Sequence, residues 1–204
     1  MVKTAFVTGA TRGIGRATAA ALAKAGWRVI GMGRDRRVLA DLRADHGVEP
    51  LALDLTDRRD LTGLTKDLRI DALVHAALRW PNPNSFLALN EAEIDMTLEV
   101  NLSAALHLTQ AVVRSMRTEE GGAVLFLVPD VEPSAGVLET TISGALQSFA
   151  RSLSAETGKC GIAVDCLPIG QPPFEATAQR AVAIVRDRLE AQRSVRAEPT
   201  AEHP

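Results

Sequence analysis

The stretch Thr8-Gly9-Ala10-Thr11-Arg12-Gly13-Ile14-Gly15 decides how the rest of the chain is read. An apolar run, Lys3 to Val7, stands before it, and after it Ile14, Ala17, Ala21 and Ala25 recur at helical spacing until Gly26. A strand that turns through glycines into a helix brings backbone N–H groups, and the positive end of the helix dipole, to a point where an anion can approach. A tight turn with no ligand needs one such glycine. Three at this spacing, in a strand-to-helix context, predict a pyrophosphate-binding turn.

Working outward, short apolar runs alternate with longer helical patterns. Strands are predicted at Arg28 to Met32, Leu51 to Leu53, Asp71 to Ala77, Gly122 to Val128 and Gly161 to Leu167, after the first at Lys3 to Val7. Helices are predicted over about Glu91 to Met116, Leu138 to Thr157 and Phe174 to Ala191, with Thr56 or Asp57 capping another after Asp54-Leu55. The strands are continuous apolar runs, as expected when helices cover both faces of a parallel sheet. The predicted fold is a single-domain α/β, Rossmann-like doubly wound parallel sheet of about six strands in three α/β/α layers. Residues 1–192 form that domain, and the polar, proline-containing residues 193–204 are expected to be a disordered tail.

Composition narrows the function. The chain has 204 residues, a formal net charge of −2 and a pI near 6.1, which offers nucleic acid or an anionic membrane no basic footprint. No run of apolar residues is long enough to span a bilayer, and a cytoplasmic protein is expected. The two cysteines, Cys160 and Cys166, fit neither a disulfide framework nor a metal motif, and the four histidines are scattered, so no metal site is predicted. The chain contains no tyrosine.

The glycine turn resembles the T-G-x-x-x-G-x-G turn of the short-chain dehydrogenase/reductase family. The likeness continues through Asp54-Leu55, Asp71-Ala72-Leu73-Val74, Val100-Asn101-Leu102 and Gly161-Ile162-Ala163-Val164, covering about residues 3 to 170. The resemblance implies a nicotinamide cofactor held by Gly9, Thr11, Arg12, Gly13, Ile14, Gly15, Arg34, Asp54, Leu55, Ala76 and Ala77. Guanidinium groups favour a 2′-phosphate, whereas an acid at the end of strand two would repel it. Arg12 and Arg34 therefore predict NADP(H) in preference to NAD(H), with Asp35 tempering the charge. His75-Ala76-Ala77-Leu78 stands where the family carries Asn-Asn-Ala-Gly; a histidine titrates near neutral pH, but a hydrogen-bonded structural role is expected of His75.

The resemblance also implies a proton-donating tyrosine, a lysine one turn later, a serine after strand five and an asparagine in the long helix. Asn101 matches the asparagine. Glu139 falls at the tyrosine position and Ser143 at the lysine position, Val128-Pro129-Asp130 stands where the serine belongs, and Ser134 is the nearest hydroxyl. Asn101 and Glu139 are thus the candidate catalytic residues, each with a plain structural alternative: backbone bonding in a kinked helix for the first, a favourable helix N-terminus for the second. Gln171-Pro172-Pro173 leads straight to the last helix, so a seventh strand and much of a substrate cover are expected to be absent. Apolar residues around much of the 91–116 helix call for burial on more than one face, and the resemblance implies that this helix packs on a partner subunit, so a homodimer through it and the 138–157 helix is expected. Two functions follow: an NADP(H)-dependent, oxidoreductase-derived enzyme acting on a small carbonyl compound with a non-standard acid/base set, or a catalytically inactive nucleotide sensor or partner subunit. A non-redox dehydratase, cyclase or isomerase is a variant of the first.

Overall fold

Every residue of β1 (Thr4–Thr8) is buried, because helices cover both faces of this strand. In the computed structural model, which describes residues 2–57, 63, 68–82, 85–118, 121–130 and 135–197, β1 passes through the glycine turn into α1 (Gly13–Lys24) and returns as β2 (Arg28–Gly33). Then come α2 (Arg36–His46), β3 (Glu49–Ala52) and β4 (Ala72–His75). A single 3-10 turn (Phe86–Ala88) precedes α3 (Glu91–Leu98), which runs through a π-helical segment (Glu99–Ser103) into α4 (Ala104–Thr118). β5 (Gly122–Pro129), α5 (Val137–Thr157), β6 (Ile162–Ile169) and α6 (Glu175–Ala197) follow.

The six strands lie in the order β3-β2-β1-β4-β5-β6, all paired in parallel. The predicted doubly wound α/β architecture is therefore the observed one. The order reverses between β1 and β4, where Val7 faces Gly31 on one side and Val74 on the other. Crossovers on either side of that point go to opposite faces of the sheet, which leaves a crevice beyond the carboxyl ends of these strands. Ala5, Val7, Ala72 and Val74 pack with α1 and α6 on one face; Phe6, Leu73 and Phe126 pack with α4 and α5 on the other. Phe6 and Phe126 are fully buried, and each contributes about 2 to 3 kcal/mol by leaving water.

Several boundaries differ from expectation for identifiable reasons. β3 starts two residues before Leu51 and accommodates Pro50 because it is an edge strand. β4 stops at His75, two residues before the predicted end, because the N–H groups of Ala76 and Ala77 turn to the Thr8 hydroxyl, at 3.1 and 3.2 Å. The predicted long helix is split by its π-helical segment. The Asp54 carboxylate accepts from both the N–H and the hydroxyl of Thr56 in a side-chain turn; the helix expected beyond it falls largely outside the described residues. α6 runs on to Ala197, past the expected start of the tail at 193, since no proline interrupts the chain before Pro199; residues 198–204 lie outside the described set. Among the described residues no strand follows β6, and no helix is long and apolar enough to cross a membrane.

Candidate functional site

A groove opens at the reversal point of the sheet. One wall is the glycine turn, with Gly9, Thr11 and Arg12; a second is Gly33, Arg34, Asp54 and Leu55; a third is Ala76, Ala77, Leu78, Arg79 and Val100. The sequence folds this way because the turn has no room for side chains. Gly9 has φ +66°, and a Cβ there would lie 2.7 Å from the carbonyl oxygen of Ala76. A Cβ on Gly15 would lie 2.2 Å from the Gly9 carbonyl oxygen. Gly15 thus lets α1 sit directly against the turn, while Ile14 faces the core. Gly13, Ile14 and Gly15 shape the groove from behind and do not line it; the other eight predicted cofactor residues line it.

The electrostatics favour an anion. α1 begins after Arg12 with no side-chain cap and no acidic residue in its first turn, so its leading N–H groups have no side-chain acceptor. Arg12 extends along the rim, and its Nη2 donates to the Leu78 carbonyl at 3.2 Å. Arg34 Nη1 lies 3.5 Å from Asp54 Oδ2, the arginine exposed and the aspartate half-buried. Asp54 is held below the usual carboxylate range mainly by the Thr56 backbone N–H, with Arg34 a smaller cause. Asp35 does not line the groove: its Oδ1 accepts from the N–H groups of Arg37 and Val38 and caps α2. Uncapped N–H groups, glycines and guanidinium groups together form a donor set that fits a phosphorylated dinucleotide. Among the described residues no cluster of three or more His, Cys, Asp or Glu could hold a metal.

The candidate catalytic residues are each tied to backbone. Asn101, buried in the π-helical segment, accepts from the Arg79 N–H with Oδ1 and donates to the Arg79 carbonyl with Nδ2, both at 2.7 Å. It does not line the groove; it fixes a residue that does. Glu139 Oε2 accepts from the Gly136 N–H at 3.0 Å at the start of α5. Ser143, fully buried, donates to the Pro129 carbonyl at 3.2 Å and accepts from Gln147. Ser134 lies outside the described residues. His75 stacks on Phe126, rings 4.8 Å apart, and its Nε2 lies 2.8 Å from the Thr109 hydroxyl. That hydroxyl already donates to the Ala105 carbonyl, so His75 carries its proton on Nε2 and leaves Nδ1 as an unpartnered buried acceptor. Burial pushes its pKa down to about 3, which keeps the ring neutral throughout the physiological range.

Leu78, which closes the stretch standing where the family carries Asn-Asn-Ala-Gly, and Arg79 after it also line the groove, although neither was among the predicted cofactor residues. The signal was their place directly after the shortened fourth strand, where the chain must cross the reversal point of the sheet. A larger hollow of about 510 Å³ between α1, α2 and α6 is lined by alanines of α1 and α6 and by Lys24, Asp45, His46, Glu175 and Gln179, and shares no residue with the groove.

Comparison with known proteins agrees with this geometry. Residues 3–180 match the short chain dehydrogenase family. An uncharacterized short-chain type dehydrogenase/reductase of Sinorhizobium fredii is 37% identical over 122 residues, 60% of this chain and 49% of that protein; the chain thus spans about half the length of that relative. The short-chain reductase protein NovJ of Streptomyces niveus is 33% identical over 185 residues, covering 85% of this chain and 69% of the other. The crystal structure of a metagenomic short-chain oxidoreductase in complex with NADP is 26% identical with a TM-score of 0.81, covering 94% of this chain and 92% of that one. A nucleotide-ready groove at the sheet's reversal point, a match over most of the chain and these likenesses lead to one conclusion: the chain belongs to the short-chain dehydrogenase/reductase family of oxidoreductases.

Proposed function

We propose that this protein binds NADP(H) in the groove beside the glycine turn and reduces a small carbonyl compound through an acid/base group other than the family's tyrosine. The observation that carries the reading is the groove itself, with Arg12 and Arg34 on its rim and an uncapped helix N-terminus behind it. The NADP-bound structural neighbour and the relatives named as reductases support it. The chain has no tyrosine, and Glu139 and Ser143 stand at the tyrosine and lysine positions, which makes this a divergent member lacking the usual Tyr-x-x-x-Lys pair.

Bound NADPH would supply the hydride. The carbonyl oxygen must then gain a proton, and Glu139 is the chain's candidate to give it: Gly136 fixes Oε2, and Oε1 has no hydrogen-bond partner among the described residues. Asn101 acts by holding Arg79 on the groove wall. A positioned acid is worth about 10² to 10⁴ in rate. The second reading, an inactive nucleotide sensor or partner subunit, is favoured by the engagement of Asn101 with the Arg79 backbone and of Ser143 with the Pro129 carbonyl and the Gln147 side chain. The 91–116 and 138–157 helices, with Met96 exposed on the first and Val137 exposed just before the second, are proposed to form a cytoplasmic homodimer; a monomer at micromolar concentration in a size measurement would defeat that.

One experiment separates the two functions. NADPH and NADH are titrated by fluorescence, and cofactor absorbance is followed with a panel of ketones and aldehydes for the wild type and Glu139→Gln. Turnover that falls about 10²-fold or more in the variant, with NADPH affinity unchanged, supports the enzyme. Binding without turnover supports the sensor, and failure to bind either nucleotide sinks both.

A further inference from the structure

Arg79 is the arginine of the groove that lacks a counter-group. Its backbone is clamped at two points by the buried amide of Asn101, at 2.7 Å each. Arg79 is one of the residues that line the groove, and its Nη1 is buried with no hydrogen-bond partner among the described residues. The other two groove arginines are already engaged, Arg12 on the Leu78 carbonyl and Arg34 with Asp54. Asp54 is the acid that lines the groove, and it is taken by Arg34 and Thr56. A guanidinium stays charged at any working pH and presents a planar fork of donors, so a partly buried one without an acceptor is a binding group awaiting an oxyanion.

We propose that Arg79 binds a phosphate oxygen of the dinucleotide, an assignment that rests on the nucleotide-binding reading above. Phosphate is favoured over a substrate carboxylate by position. Arg79 shares its groove with Gly9 and the turn leading to uncapped α1, and the neighbouring Leu78 carbonyl is itself held by Arg12 from that turn. The rigid clamp from Asn101 means that little ordering is required of Arg79 when the ligand arrives.

The test uses Arg79→Gln and Arg79→Lys in the full chain, with NADPH titrated by fluorescence and the thermal midpoint of the ligand-free protein measured alongside. The loss of a charge-assisted bond predicts an NADPH Kd raised about ten- to a hundredfold in the glutamine variant, with part of the affinity kept by lysine. Because Arg79 is unpaired without ligand, the ligand-free midpoint of Arg79→Gln should stay level or rise. Wild-type affinity in Arg79→Gln overturns the assignment and leaves nucleotide binding intact. A ligand-free midpoint lowered by several degrees together with weaker binding overturns it in favour of a structural role. A wild type that binds neither NADPH nor NADH removes the parent reading instead. Should the glutamine variant fail to fold, Arg79→Met, with a similar stem and no charge, gives the same readout.

Discussion

The groove beside the glycine turn and the helix region carrying Asn101, Glu139 and Ser143 are both polar, yet they treat their polar groups in opposite ways. In the groove, donors stand ready: α1 is uncapped, and Arg79 Nη1 has no partner. In the helix region, where the π-helical segment packs against α5, each side chain is bonded to backbone, Asn101 to Arg79, Glu139 to Gly136 and Ser143 to Pro129. Unspent donors are costly unless a ligand meets them, whereas spent ones consolidate the fold. The difference supports the proposal that the groove half of the site binds the ligand while the other half mainly holds it in shape, Glu139 Oε1 excepted.

The largest way to break this comparison is to fill the turn. Gly15→Ala would drive a methyl group into the Gly9 carbonyl oxygen. Neither group can withdraw without moving α1 away from β1. Destabilisation of about 3 kcal/mol is expected, at the upper end of overpacking costs, together with loss of NADPH binding. Chemical denaturation and the same fluorescence titration check both. A variant that binds normally would show that the turn is not the binding wall.

The next effect lies in His75, a polar group of the scaffold half. Its folded pKa, about 3, is below the ordinary value of 6.5 because burial disfavours the charged ring. The unfolded chain therefore takes up the proton first as pH falls. The neutral ring's contribution is fully present above pH 6.5 and is lost from there down toward pH 3, at up to about 1.4 kcal/mol per pH unit. By pH 4.5 that amounts to about 2 to 3 kcal/mol. His75→Leu keeps the Thr109–Ala105 bond and removes the titration, so its stability should fall less steeply than the wild type's between pH 6.5 and 4.5. Parallel curves in denaturant unfolding would refute the buried neutral ring.

How far these features could be read from sequence depended on whether local pattern decided them. The glycine turn was legible because the residues themselves dictate its backbone, and the doubly wound parallel class followed from apolar runs separated by helices, whereas the order of the strands within the sheet was not read. His75 was legible in hindsight by parity: it follows Leu73 at the strand period of two, and Leu73 packs on the α4 face. α2 went unnamed because it is largely polar, with only Leu39 and Leu42 buried, although Asp35 before Arg36 was a capping signal. An interrupted helix with Asn101 bonded to backbone was one of the two expectations for that residue, but the identity of its partner, Arg79, could not be read. It depends on Asn101 meeting a residue 22 positions earlier in the chain, which no local pattern records.

The smallest effect sharpens the groove's selectivity. Arg34 and Asp54 are 3.5 Å apart with side chains 73% and 43% exposed, so their attraction is screened and worth under about 1 kcal/mol. Weak as it is, the pair competes with any phosphate for Arg34. Asp54→Asn removes the competing charge but keeps an oxygen to accept from the Thr56 N–H, the main partner that holds the wild-type carboxylate low. The turn should therefore survive, and Arg34 should become available to a 2′-phosphate. The expected outcome is a ratio of NADH to NADPH dissociation constants that rises about two- to fivefold, with the gain shrinking as salt is added. An unchanged ratio would mean that Arg34 does not reach the ribose. A falling ratio would mean that Asp54 itself helps to hold the phosphorylated cofactor, and would move the source of selectivity to Arg12.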